Sequence, residues 1–209
     1  MKNNILLKLN SMSYSYGNSI GIVCSHLLED DRFSLWSGSA KSNQHHYGDG
    51  GLMQHTYEVI CHCFSSLQTY DAHDWGYDWQ IDKAELFLAA LFHDSGKMYD
   101  YEWYEARSKT RGDELPAVYE RYWQGTEHKR LIHHISRSAL IWTEAAKLDE
   151  KVYEKYHEKV LHAILAHHGQ RSWGSPVAPK TRVAWLLHLC DGISARMYDA
   201  DTSDVVEKG

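Results

Sequence analysis

Histidine and aspartate recur inside apolar helical stretches of this chain in a set order: His55, the doublet His93-Asp94, His134, the doublet His167-His168, and Asp191. A carboxylate carried into a helix interior is strongly disfavoured unless its charge is compensated. A fold that buries these residues together therefore needs a cation where they meet, and a divalent metal supplies one.

Helical spacing tests which of them face inward. His55 shares a face with Leu52, Val59 and Cys63, the i−3, i+4 and i+8 positions. Asp94 follows Leu91, Ala90 and Phe87, and His93 follows Ala90 and Ala89. His133 and His134 separate: His133 lines up with Arg130, Arg137 and Glu144, and His134 with Leu131, Ser138 and Ile141. His134 is therefore the ligand candidate. His167 stands above Val160, Ala163 and Ile164, and Asp191 above Ala184 and Leu187. His162, in line with Lys155, Glu158 and Lys159, reads as a surface residue.

The spacing predicts helices over 20–28, 52–68, 82–93, 129–148, 149–167 and 180–198, with Pro176 and Pro179 marking the loop before the last. No alternating strand pattern of useful length and no internal repeat stand out. The expected architecture is all-α, a single domain over 1–209 with its core at about 33–198. An irregular, aromatic-rich insertion spans about 98–128, where Tyr99, Tyr101, Trp103, Tyr104, Tyr119, Tyr122 and Trp123 lie among Arg107, Lys109 and Arg111, with Gly112 and Pro116 as breakers. It reads either as a structural excursion or as a substrate wall, since aromatic faces stack on bases and cations meet phosphates. The acidic tail 199–209 is expected to fray.

Composition narrows the function. A length of 209 residues with 43% hydrophobic content suits one globular domain, and no apolar run approaches the roughly 20 residues of a membrane span. The apolar part of the N-terminus is too short for a secretory signal, so a cytoplasmic protein with free thiols is expected. Cys61, His62 and Cys63 lie mid-helix, where positions two apart diverge and cannot easily share a metal. A net charge of −6 argues against a broad basic surface gripping duplex phosphates. It leaves room for a small or single-stranded substrate, whose charge bound ions would help meet.

Several segments resemble one family. The stretch from Ala40 through Lys41, His45 and His46 to Gly50, Gly51, Leu52 and His55 resembles the entry segment of HD domains in YhaM-type bacterial 3′→5′ exoribonucleases. Leu91-Phe92-His93-Asp94-Ser95-Gly96-Lys97 is similar to the HD signature, and His134-Ile135 to its Gly-His-Ile step, with His133 in place of the glycine. The segments Ile164-Leu165-Ala166-His167-His168-Gly169, Trp173-Gly174-Ser175-Pro176 and Leu187-His188-Leu189-Cys190-Asp191 resemble that family's C-terminal signature. The likeness departs further in two respects: those enzymes carry an N-terminal OB-fold, and nothing here is long enough to be one, and the aromatic insertion from Met98 onward has no match in the family's pattern.

The resemblance implies an HD-domain helical bundle holding two divalent ions in its core. His55, His93, Asp94 and Asp191 would hold one, and Asp94, His134 and His167 the other, with Asp94 bridging. Manganese comes first, with iron, magnesium, nickel or cobalt also compatible. The implied chemistry is phosphodiester hydrolysis by an activated water, on single-stranded nucleic acid or a nucleotide. Lys97 is a candidate to neutralise phosphate oxygens, His168 to bind the second ion or phosphate, and Lys41, His45 and His46 to touch phosphate. Two other classes stay open: a di-iron oxygenase on the same fold, and a nucleotide-binding module without catalysis.

Overall fold

The computed structural model describes residues 2–39, 41, 44–73, 80–107 and 119–199. Its helices are α1 (Lys2–Ser15), α2 (Asn18–Leu28), α3 (Asp31–Leu35), α4 (Gly51–Asp71), α5 (Lys83–Phe92), α6 (Lys97–Asp100), α7 (Glu127–Leu131), α8 (His134–Ala146), α9 (Glu150–Ala166) and α10 (Arg182–Asp199). Between α6 and α7 lies an antiparallel pair, β1 (Tyr101–Arg107) and β2 (Tyr119–Gly125), so the fold is the expected helical bundle plus one small ribbon. Lys109, Arg111, Gly112, Pro116 and the tail beyond Asp199 lie outside the described residues.

Helix α5 is the centre. From Leu86 to Phe92 every residue is fully buried, as expected of a helix apolar on all sides and packed all round. Helices α4, α8, α9 and α10 lie against it. Each large side chain so buried stabilises the fold by about 1.5–3 kcal/mol. Asp82 starts the helix by accepting the N–H groups of Ala84 (3.0 Å) and Glu85 (3.2 Å), satisfying donors with no partner inside the first turn. Asp149 does the same for α9 through Val152 N–H at 3.1 Å.

Beyond the short α3 and α6, three elements differ from the sequence reading. Helix α1 was not expected, because KNNILLKLNSMSYS carries little amphipathic pattern, yet it buries Leu9 completely. The expected helix 129–148 is two helices, broken at Ile132 and His133, where the backbone of His133 turns to φ 68° and ψ 150°. The insertion forms strands because its aromatic residues divide between two faces: Trp103 is paired with Trp123 on one, and Tyr104 with Tyr122 on the other. Trp123 is buried against Trp36, with ring centroids 5.3 Å apart, while Trp103, Tyr104 and Tyr122 stay exposed. Among the described residues no helix is long and apolar enough to cross a membrane.

Candidate metal centre

The ligand candidates come from five helices and meet at one point. His93 caps the C-terminal end of α5, with Asp94 next to it, and His167 caps the end of α9. The partial negative charge of helix C-termini favours a cation there. Helix α4 contributes His55, α10 contributes Asp191, and His134 is the first residue of α8. His55, His93, Asp94, His134 and His167 are all at most 5% exposed.

The two carboxylate oxygens of Asp94 face different ways. Oδ2 lies 3.2 Å from His55 Nε2 and 3.5 Å from His93 Nε2, and Asp191 Oδ1 completes that group at 3.1 Å from His55 Nε2. Oδ1 faces His134 Nε2 at 3.4 Å and His167 Nε2 at 3.6 Å, with His168 beside them. Donors bound to one ion at about 2.1 Å sit about 3 Å apart, the spacing seen in both groups. A stronger sign is that Asp94 Oδ1, His134 Nε2 and His167 Nε2 are buried with no hydrogen-bond partner. Buried polar atoms are rarely left so; three converging lone pairs fit a cation, and nitrogen plus carboxylate donors suit first-row divalent metals.

The imidazoles are aimed by their other nitrogen. Nδ1 of His93 donates to Ala90 O at 2.7 Å, that of His167 to Ile164 O at 2.7 Å, and that of His168 to Trp173 O at 2.7 Å. His134 Nδ1 donates to Asp100 at 3.1 Å, and His55 Nδ1 to Ser194 Oγ at 3.1 Å. Ser194 in turn donates to Glu58 at 3.2 Å. In all five cases this turns Nε2 inward, the arrangement that orients metal-binding histidines.

Electrostatics divides the two groups. Burial lowers the pKa of His134 to about 3 and that of His168 to about 4, so both are neutral donors at pH 7. Burial also opposes a charged His93, but Asp94 and Asp191 outweigh it and raise the pKa to about 10. Between two carboxylates a proton on His93 takes the place a metal would hold. Burial works against the charge of Asp94 as well, yet Lys97 and His93 hold it well below the usual carboxylate range.

Lys97 does not end a helix at the surface. It opens α6, its side chain is 12% exposed, and its Nζ lies 2.7 Å from Asp94 Oδ2. Gly96 makes this approach possible, since a Cβ there would run into the carbonyl oxygen of His134, and its N–H donates to Ser138 Oγ at 2.8 Å. His45 and His46 lie beside His55, with ring centroids 5.9 and 5.0 Å from it. His46 donates from Nε2 to Glu58 at 2.8 Å, while its Nδ1 is buried without a partner. Lys41 is exposed on the same loop. A cleft of about 460 Å³ opens here, lined by Gln44, His46, Tyr47, Gln54, Glu58 and His62 among others. The ribbon leans on its edge, where Trp123 donates to Tyr47 Oη (3.2 Å) and Asp49 Oδ1 (3.3 Å).

Sequence reasoning missed Asp100, Glu58 and Ser194. Asp100 is fully buried and accepts from His134 N–H (3.2 Å), His134 Nδ1 (3.1 Å) and His128 Nδ1 (2.9 Å). The one available signal was a carboxylate opening the aromatic insertion. His133 is half-buried, in a backbone region that glycine occupies and other residues enter at about 1–3 kcal/mol.

The HD-domain family model matches residues 52–196. Among curated relatives, the chain is 28% identical over 200 residues to the 3′-5′ exoribonuclease YhaM of Shouchella clausii, covering 95% of this chain and 55% of the relative. It is 27% identical over 181 residues to YhaM of Bacillus pumilus (86% and 49%) and 24% identical over 203 residues to that of Bacillus velezensis (96% and 56%). The chain thus spans about half the length of the curated relatives it matches. No solved structure matches it.

Proposed function

The chain belongs to the HD-domain family, and from that premise we propose that it is a metal-dependent phosphodiesterase. Its substrate on this reading is single-stranded nucleic acid, degraded in the manner of a 3′→5′ exonuclease, or a nucleotide phosphodiester. One observation carries the reading: the oxygens of Asp94 are divided between two groups of inward-facing histidines, with three buried lone pairs left open toward one point. His55, His93, Asp94 and Asp191 would hold one ion and Asp94, His134, His167 and His168 the other. Once bound, such ions supply an activated water and positive charge against the phosphate oxygens.

The chain's own groups do the rest. One N–H of the Lys97 ammonium serves Asp94, leaving donors for a non-bridging phosphate oxygen. On the α4 side, His46 lines the cleft through which a strand would enter, with His45 beside it and Lys41 exposed on the same loop. The exposed Trp103 and Tyr104 of the ribbon offer faces for base stacking. Support for RNA comes from the named activity of the relatives, and support for short single strands over duplex from the net charge of −6.

The test is metal analysis of the purified protein, together with labelled RNA, single-stranded DNA and linear and cyclic dinucleotides in the presence of manganese. Metal-dependent release of nucleotides from single strands or dinucleotides is the expected result. Tightly bound iron with oxygen consumption and no hydrolysis would replace this reading with the oxygenase. Nucleotide binding without turnover would replace it with the binding module.

A further inference from the structure

Among the described residues, the two non-glycine residues with positive φ are both histidines of this site: His46 at 56°, beside the His55 group, and His133 at 68°, beside the His134 group. The turn into α8 places His134 N–H on Asp100, a backbone task that glycine performs without strain at His133. The imidazole therefore adds nothing that the turn requires, and it is held there at a conformational cost. Its ring lies over His134, with centroids 4.1 Å apart, and edge-on to His168 at 6.3 Å. Unlike His134 it is only half-buried; a ring nitrogen lies in one group with Asp100 and His134, beside the seat formed by His134, His167 and His168.

We propose that His133 is a substrate-contacting residue, donating from its imidazole to a phosphate oxygen held at the His134 side of the centre. This rests on the phosphodiesterase reading for its substrate. A ring N–H matches the acceptor-only edge of a phosphate. The inward lone pairs of His134 and His168 remain the metal donors, and His133 takes the position outside them. It and His46 then flank the centre from opposite sides.

Two substitutions separate this role from a structural one. His133→Gly and His133→Ala both remove the imidazole, but only glycine relieves the backbone. The glycine variant is expected to melt higher than the alanine variant by a few degrees, and both should bind wild-type amounts of manganese. Calorimetric titration of the manganese-loaded proteins with inorganic phosphate should show binding about 10- to 100-fold weaker in both, the scale of one lost hydrogen bond to a charged group. In the hydrolysis assay kcat/KM should fall by the same factor.

Unchanged phosphate affinity in His133→Gly overturns the proposal, as does a loss of manganese in step with phosphate, or a wild-type protein that binds no phosphate. If wild-type protein hydrolyses nothing in the panel yet binds phosphate through His133, the function reading fails while this one stands.

Discussion

Replacing Asp100 by asparagine keeps the shape of the side chain and removes its charge. Three donors converge on the carboxylate: two from His134 reach Oδ2, and one from His128 reaches Oδ1. An amide retains one oxygen and presents N–H groups at the other position. Whichever way it turns, one or two of these donors face another donor. Each lost hydrogen bond to a charged group is worth about 1.5–3 kcal/mol, so Asp100→Asn should cost about 2–4 kcal/mol of stability. In a chain of 209 residues that is a fall in Tm of roughly 5–15 °C.

The effect on metal is more specific. Loss of a carboxylate that orients a histidine ligand lowers metal affinity about 10- to 100-fold, or about 1.4–2.8 kcal/mol. On the two-ion reading proposed above, it should fall on the ion assigned to His134 and spare the one assigned to His55, His93 and Asp191. Calorimetric titration with manganese should therefore show one weakened and one unchanged binding event, and elemental analysis after dialysis should show metal content falling toward half. Wild-type affinity for both ions, in a folded protein with Tm lowered as expected, would refute the claim that Asp100 aims His134.

Lys97→Ala should bind the normal complement of metal and turn over about 10²–10³-fold more slowly, the scale for one preorganised electrostatic donor; wild-type kcat would exclude that role. Gly96→Ala forces a methyl group against the His134 carbonyl oxygen and should lower Tm by several degrees and reduce metal content together, readable by calorimetry and elemental analysis. Stripping metal should destabilise the fold: an ion present at 100 times its Kd contributes about 2.7 kcal/mol, or roughly 5–10 °C in a melting scan. With the metal-free His93 protonated below its pKa of about 10, manganese uptake at pH 7 should release protons and strengthen as pH rises; titrations in buffers of different ionisation enthalpy that give identical heats would contradict this.

What was legible in the sequence is what repeats with the helical period. The run Leu86 to Phe92 announces a buried helix, and the His-Asp doublet at its end inherits that burial. The deeper burial of His134 than of His133 was legible by phase, because the register from His134 onward is a true α8 register. The break before it was hidden, since the residue that turns is a histidine and not the glycine that usually signals such a conformation. Asp100 was invisible for another reason. Its partner His134 is 34 positions away, and no local pattern encodes that distance. In the ribbon, aromatic residues on both faces blurred the alternation that marks a strand.

The chain leaves the bundle at Asp100 and returns at Thr126, where the Thr126 N–H donates to the Asp100 carbonyl at 2.9 Å and Tyr101 is paired with Gly125. An excursion whose two ends touch is a socket: its length and surface can be rewritten without displacing either helix it joins. The socket's rim is the same aspartate that steadies His134. Drift in the excursion leaves the histidine and aspartate cluster in place, and a slip of one residue at the rim reaches it at once. What such a domain grips can therefore diversify while its cluster of histidines and aspartates stays the same, and the dividing line between the two runs through Asp100.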